Sequence, residues 1–335
     1  MGRKLRLGLA GYAGFGQGLA KRFAAIPDVE IIGVFNRGEE RRLIAEKDGY
    51  KTFKDFKEML KEPGLDAVAI ATANIVHAEQ CIDAALAGKH IFCEKPLALN
   101  IDSLNKVVGA CEKAGVVTHV DFSMRYGHEA IRIKELISSG VLGRVLSLWV
   151  RRGRGFGLWS AGKRHIDLVS PKVSGGWNIH HNVHGTDLLL HFAGQPAVEV
   201  YAKMSKSAPD TPCEEIITSL VTFKDGAIGY VGDSTSIQRE GYLGVIGTKG
   251  SLVCVEDLNR NNKMIMKMED GKLTEEEFVE SSPMGKSGVS EACRSFTDAC
   301  MGISKNNIPF REARASLDLL FAMQRSVDEG RNIKL

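Results

Sequence analysis

Two patterns of apolar spacing divide this chain. Up to residue 122, short apolar runs alternate with segments of helical period. Leu5–Ala10, Glu30–Phe35, Val68–Ala71, His90–Cys93 and Val116–Phe122 read as strands, the most apolar of them buried on both faces. Gln17–Ile26, Thr52–Leu60, His77–Ala87 and Ile101–Ala114 read as helices. Gly88 and Gly115 stop the last two, and Asp102 or Ser103 stands near the amino end of the last. Strand and helix in alternation predict an α/β domain with a doubly wound parallel sheet over residues 1–122.

From residue 123 the spacing changes. Ile131–Ser139 reads as a helix, Val145–Arg151 begins strands of another kind, and Arg152–Gly176 is a loop rich in Gly, Arg and Lys. Val198–Val200, Ile216–Phe223, Ala227–Gly232, Leu243–Ile246, Ser251–Val255 and Met264–Met268 follow as strands. Turns such as Lys224-Asp225-Gly226 and Gly247-Thr248-Lys249-Gly250 separate them. Residues 123–335 are therefore expected to form an α+β domain around a large, mostly antiparallel sheet. Val289–Met301 and Glu312–Glu329 are closing helices, with the option of packing back on the first domain.

Composition narrows the class. The 335 residues suffice for two domains with real cores, at roughly 150 residues each. A net charge of +3 is too small to imply nucleic acid or a membrane surface. No run approaches the ~18 apolar residues of a membrane helix. The seven cysteines are odd in number and contain no CxxC pair, which suits a reduced cytoplasmic protein better than a disulfide framework. The first apolar run enters a glycine turn too early for a signal peptide.

The first chemistry lies in that turn. Gly11-Tyr12-Ala13-Gly14-Phe15-Gly16 falls between a strand and a helix, the context in which a GxGxxG-like segment binds a dinucleotide. Gly11 permits the tight turn, and a small residue at Ala13 lets the backbone approach the pyrophosphate. Gly16 lets helix and strand pack closely. At the end of the second strand, where an NAD enzyme carries a carboxylate for the ribose hydroxyls, this chain has Asn36 and Arg37. A neutral Asn does not repel a 2′-phosphate and a guanidinium can grip one. Arg41 and Arg42 follow closely. Arg37 stacked on adenine is the reading that keeps NAD open, so the cofactor is NADP or NAD, with NADP favoured.

The second chemistry follows His90–Cys93. Glu94, Lys95 and Pro96 stand at the carboxyl end of a parallel strand, where open α/β sheets place ligands. A lone lysine there would more often be a surface residue of a β–α loop. The segment Ala87-Gly88-Lys89-His90-Ile91-Phe92-Cys93-Glu94-Lys95-Pro96 resembles the AGKHVxCEKP signature of the Gfo/Idh/MocA oxidoreductases. The resemblance implies an amino-terminal Rossmann domain, a lysine that gives and takes the substrate proton (Lys95), and a cis peptide before Pro96. Cofactor contacts are expected from Gly11, Ala13, Gly14, Phe15, Gly16, Asn36, Arg37, Thr72, Asn74, His77, Glu94 and Lys95. Glu94 is expected to hold Lys95 in place and to point its carboxylate elsewhere.

The third lies in Gly175-Gly176-Trp177-Asn178-Ile179-His180-His181-Asn182-Val183-His184-Gly185-Thr186-Asp187, which resembles the family's GG-x3-D-x-G-x-H-x2-D pattern. His184 falls on the catalytic His and Asp187 on the trailing Asp. His180 departs from an Asp and Asn182 from a Gly. On a regular helix His180 and His184 share a face. His180 is read either as a proton-handling residue or as a packing substitute. Substrate contacts are expected from Lys95, Arg125, Asn182 and His184, although Arg125 serves equally well in a structural ion pair. An i, i+4 His pair also suits zinc, but no third ligand is identifiable, so no metal is expected. The resemblance implies an NAD(P)-dependent dehydrogenase or reductase acting on the CH–OH groups of a sugar, inositol or related polyol. It further implies a homodimer or homotetramer built through the second domain's sheet. Two other classes stay open: a non-catalytic dinucleotide-binding regulator, and a metal-assisted enzyme acting on a glycoside through His180 and His184.

Overall fold

The structure, a computed structural model, describes residues 3–154, 170–206, 211–235, 239–256, 262–278 and 288–335. It divides into two compact units, 1–122 with 289–314 and 123–288 with 315–335.

The first unit is built on strands β1 (Leu5–Ala10), β2 (Val29–Phe35), β3 (Thr52–Phe53), β4 (Ala67–Ile70), β5 (His90–Cys93) and β6 (Thr118–Val120). Among the described residues these six form one sheet in the order β3-β2-β1-β4-β5-β6, every pair parallel. Its centre is sealed: all four residues of β4 are completely buried, as are Leu7, Leu9, Ile91 and Phe92. A sheet covered on both faces explains why these strands are apolar without alternation. Chain order reverses between β1 and β4, and ligand sites of such sheets lie at that reversal.

The helices of this unit are α1 (Gly14–Ala24), α2 (Glu39–Lys47), α3 (Phe56–Leu60), α4 (Asn74–Leu86), α5 (Ile101–Ala114) and α8 (Gly288–Cys300). Phe23 of α1, Phe92 of β5 and Phe296 of α8 meet edge to face at the core. One local expectation is corrected. The helix expected over Thr52–Leu60 is instead β3 followed by α3. Thr52 and Phe53 pair with Val34 and Phe35, and Asp55 restarts the chain as a helix cap, accepting from the Glu58 amide at 3.0 Å. The cap of α5 is Asn100, just before Asp102 and Ser103 in the first turn. Its side chain accepts from the Ser103 amide at 2.9 Å, and Gly115 ends the helix in the left-handed conformation at φ +65°.

The second unit carries α6 (His128–Ser138), β7 (Val145–Arg154), α7 (Val183–Ala193), β8 (Ala197–Ser205), β9 (Ile216–Phe223), β10 (Ile228–Ser234) and β11 (Arg239–Gly247). It continues with β12 (Gly250–Glu256), β13 (Asn262–Met268) and β14 (Leu273–Phe278), then β15 (Ile333–Lys334). The last helix, α9, spans Phe310–Glu329. Among the described residues nine strands form one sheet, β14-β13-β12-β11-β7-β10-β9-β8-β15. Only the β7–β10 pair is parallel there. Helix α7 packs on β7 and β10. Strand β9 alternates cleanly: Ile217, Ser219, Val221 and Phe223 are buried, while Ile216 and Leu220 are 44% and 52% exposed.

Strands β14 and β15 were not expected, since Leu-Thr-Glu-Glu-Glu-Phe carries too few apolar residues to announce one. The loop expected from Arg152 starts later, because β7 continues to Arg154. Its stretch 155–169, with Lys163 and Arg164, lies outside the described residues. No helix among the described residues is long and apolar enough to cross a membrane.

Candidate active site

The glycine turn follows β1 at the reversal point. Gly11 has φ +94°, and a Cβ there would collide with the Ala71 carbonyl after β4. A Cβ at Gly16 would collide with the Gly11 carbonyl. Both positions therefore require glycine. Ala13 is the N-cap of α1 and provides no side-chain cap, and the first turn contains no acidic residue. Ala13, Gly14 and Phe15 are exposed. The first-turn amides are thus left for an external anion, and the positive end of the helix favours one. This cradle fits the diphosphate of a dinucleotide.

Asn36 closes the turn from beside it. Its Oδ1 accepts from the Tyr12 amide at 3.0 Å and its Nδ2 donates to the Gly38 carbonyl at 3.2 Å. Arg37 is exposed. Arg42 is buried, and its Nη1 donates to the carbonyls of Asn36 and Arg37 at 2.9 and 2.8 Å. Its neighbourhood looked like phosphate-binding charge in the sequence, but its guanidinium fixes the loop that presents Arg37.

Lys95 is half-buried after β5, and the Lys95–Pro96 peptide is cis. Glu94 is buried, its amide donating to Ile70 O at 2.9 Å. Burial first, then the Asp121 carboxylate and the hydrogen bond to it, hold the Glu94 carboxyl well above the ordinary range, although the Lys95 charge opposes this. Asp121, at the end of the neighbouring parallel strand, escaped the sequence reading; its place one residue after β6 was the available signal.

Of the other expected cofactor residues, Thr72 and Asn74 flank the loop between β4 and α4, and both are half-buried. The Thr72 hydroxyl donates to Gln80 Oε1 at 2.6 Å. His77, expected at the cofactor, is 1% exposed. Its Nδ1 lies 2.8 Å from Pro96 O and its Nε2 3.1 Å from Thr72 O.

In the second unit, Gly175 and Gly176 have φ of +86° and +75°, and the chain then enters a π-helical turn over Asn178–Asn182 before α7. A wider turn breaks the i, i+4 counting that paired His180 with His184. The ring lying edge-on to His184, at 6.3 Å between centroids, is that of His181. His181 was not singled out in the sequence. It is buried, stacks on Trp177 at 4.2 Å, and donates from Nδ1 to both Asp233 oxygens at 2.9 Å. Trp177 Nε1 donates to the same carboxylate at 2.8 Å, and Arg152 approaches it at 3.5 Å. No local pattern connects residue 181 to 233.

His180 and His184 are half-buried. Asn182, expected at the substrate, is completely buried, its Nδ2 donating to Asn178 Oδ1 at 3.1 Å. Arg125 forms a two-pronged ion pair with buried Asp187, Nε to Oδ2 at 2.8 Å and Nη2 to Oδ1 at 2.6 Å. Ser316 donates to the same carboxylate at 3.0 Å. The structural alternative for Arg125 is the arrangement observed. Among the described residues no group of three or more His, Cys, Asp or Glu could hold a metal ion.

A parallel sheet in the order 3-2-1-4-5-6 with an uncapped, glycine-cradled helix start defines a dinucleotide-binding α/β protein. Residues 5–122 match the oxidoreductase family with an NAD-binding Rossmann fold, and residues 130–253 match the GFO/IDH/MocA C-terminal domain. The chain belongs to the Gfo/Idh/MocA family of oxidoreductases. It is 26% identical over 342 residues to myo-inositol 2-dehydrogenase of Thermotoga maritima, a match covering 99% of this chain and 98% of that protein. To 1,5-anhydro-D-fructose reductase of Ensifer adhaerens it is 29% identical over 229 residues, 67% of this chain and 68% of that one. Among solved structures, the WlbA dehydrogenase from Bordetella pertussis, in complex with NADH and UDP-GlcNAcA, matches with a TM-score of 0.84 and 26% identity over 99% of both chains. The chain is therefore an oxidoreductase of a sugar and polyol family, and the relatives named here are dehydrogenases and a reductase.

Proposed function

We propose that this enzyme transfers a hydride between NAD(P) and a carbinol or carbonyl carbon of a sugar, inositol or related polyol. The observation that carries this reading is Lys95. It leaves the carboxyl end of β5 in a sheet whose switch point holds an open diphosphate cradle, and burial and the Asp121 carboxylate hold the adjacent Glu94 carboxyl above the ordinary range. The amides of Ala13, Gly14 and Phe15 hold the diphosphate, and Asn36 and Arg37 meet the adenosine ribose. When bound, the nicotinamide supplies the hydride acceptor or donor. Lys95 exchanges the proton of the reacting oxygen, His184 takes part in that transfer, and His180 orients. A neutral Asn36 and an exposed Arg37 tolerate a 2′-phosphate, which favours NADP over NAD.

A second copy of the chain covers the outer face of the nine-stranded sheet. Ile216, Leu220, Ile228, Ile246 and Ile265 share that face through the strand register, and each is 39–53% exposed. The free cysteines suit a reducing, cytoplasmic setting.

The test is a panel of sugars and polyols with both cofactors, read by nicotinamide absorbance. On the substrate so found, Lys95→Ala abolishes turnover while dinucleotide binding survives. His184→Ala costs roughly 10²–10⁴-fold, and His180→Ala less. Near wild-type kcat in Lys95→Ala overturns the mechanism.

A further inference from the structure

Four buried side chains lock the turn that carries His184. Arg152 on β7, Asp233 on β10, and Trp177 and His181 at the π-helical turn are each 4% exposed or less. The Asp233 carboxylate accepts from Trp177 Nε1 at 2.8 Å and from His181 Nδ1 at 2.9 Å. On the far side of the same ring, Arg152 Nη2 lies 3.4 Å from His181 Nε2, and Arg152 Nη1 donates to the His181 carbonyl at 3.2 Å. The guanidinium also reaches Asp233 at 3.5 Å. Trp177 stacks on the imidazole at 4.2 Å, and the rings of His181 and His184 meet edge to face at 6.3 Å.

These partners fix the ring's proton. A carboxylate only accepts, so Nδ1 carries a hydrogen; a guanidinium only donates, so Nε2 carries none. The imidazolium would set N–H against N–H at Arg152. The other neutral tautomer would do the same there and also turn a lone pair toward the carboxylate. One charge state and one tautomer satisfy both neighbours. The buried charges of Arg152 and Asp233 cancel, so the ring need not supply one. Of the other ionisable groups on elements packed around the two histidines, Arg125 and Asp187 pair with each other, and Lys134 reaches the His191 carbonyl near the end of α7. Glu129 lies on α6 and Asp318 on α9. His180 belongs to the turn itself, Cys213 accepts from the Trp177 amide, and Glu215 pairs with Thr235 beyond Asp233.

We propose that His181 is a positioning residue for His184: a neutral imidazole, locked as the Nδ1–H tautomer between Asp233 and Arg152, that fixes the turn and the ring packed on it. An ordinary histidine changes charge between about pH 5 and 8. This one keeps a single state, so His184 has a neighbour of constant charge and constant orientation. The effect on rate rests on the reading that His184 takes part in proton transfer, but the tautomer of His181 stands apart from that reading. Small displacements of a proton-transferring group lower turnover steeply, so loss of the lock costs kcat roughly 10–100-fold.

The experiment has two arms on the full chain. In wild-type protein carrying 15N-labelled histidine, the His181 signals are assigned by the Overhauser contact of its ring with the Trp177 indole, so this arm needs no variant. Nδ1 is expected at the protonated shift and Nε2 at the unprotonated one, both unchanged across about pH 5 to 8. Two protonated nitrogens, a proton on Nε2, or a ring that titrates in that window overturns the lock. In the second arm, Arg152→Met removes the donor at Nε2 and leaves the Asp233 carboxylate in place. His181 is then expected to take up a second proton at the acid end of the window and to lose it as pH rises. The kcat of this variant is expected to lie roughly 10–100-fold low while the ring is charged and to rise through the same pH at which the nitrogen signals titrate. A ring that stays singly protonated in Arg152→Met shows that Arg152 does not set its state. A kcat that ignores the ring's titration overturns the positioning role. If Arg152→Met does not fold, His181→Phe serves: it keeps an aromatic ring on Trp177, loses both nitrogen partners, and is expected to lower kcat while the calorimetric Kd for dinucleotide stays within about threefold. An unchanged kcat there overturns the role as well. Failure of His184→Ala to lower turnover would remove the proton-transfer reading of His184 and leave the His181 spectrum as it stands.

Discussion

Arg125→Met removes one half of a buried ion pair and leaves the other half behind. Asp187 is 1% exposed, and Arg125 holds its two oxygens at 2.6 and 2.8 Å. The Ser316 hydroxyl remains at 3.0 Å, and a neutral hydrogen bond of that kind contributes about 1 kcal/mol. Removing one partner of a buried pair costs about 3–5 kcal/mol, because the surviving charge is left in a poor solvent. With Ser316 still in place, the lower end applies, about 3 kcal/mol. At about 2–4 °C per kcal/mol, the melting temperature drops by roughly 6–12 °C. Urea titration followed by circular dichroism measures the loss as a shift in midpoint at constant slope. Arg125→Met/Asp187→Asn leaves no orphan charge and is expected to recover at least half of it. A side effect checks the electrostatics. Burial, then the Arg125 and Lys134 charges, push His191 down to about 3, so removing Arg125 moves its titration upward in the NMR spectrum. A loss below about 1 kcal/mol, or a double variant no more stable than the single, refutes the reasoning. Intact stability with a raised KM would make Arg125 a substrate contact instead.

Gly11→Ala drives a Cβ into the Ala71 carbonyl from a φ of +94°, so dinucleotide affinity by calorimetry should collapse along with stability. Asn36→Asp places a carboxylate beside the ribose and should shift the NAD/NADP ratio of Kd values toward NAD; wild-type protein binding NAD at least as tightly as NADP contradicts the stated preference. Leu220→Lys, at a position 52% exposed on the sheet's outer face, should lower the mass measured by analytical ultracentrifugation without unfolding the chain. An unchanged mass rules that face out as the contact.

Much of the chemistry is local and was legible. The glycine turn declares itself because a tight turn, a close carbonyl and a helix start all fall within six consecutive positions. The position of Lys95 after an apolar strand was readable, while its proton-exchange role is what the resemblance to AGKHVxCEKP implied. The central strands of the first unit are readable because burial on both faces forces unbroken apolar runs. Gly115 announces the end of α5 because few other residues take its left-handed conformation.

What escaped depends on partners far along the chain. Thr52 and Phe53 became a strand because β2 offered an open edge, not because of their own pattern. The parallel β7–β10 pair hides among antiparallel neighbours, since strand direction leaves no mark on side-chain alternation. His181 rather than His180 meets Asp233, because a π-turn changes the residues per turn and the partner is 52 positions away. His77 and Arg42 are both buried, each against two loop carbonyls, and nothing in their local sequence announces that bracing. Composition, turn chemistry and hydrophobic period act over a few residues, so sequence alone determined the architecture and the place of the lysine. Which polar side chains face the ligand and which brace its loops is decided by burial and long-range pairing, and those exist only once the chain has folded.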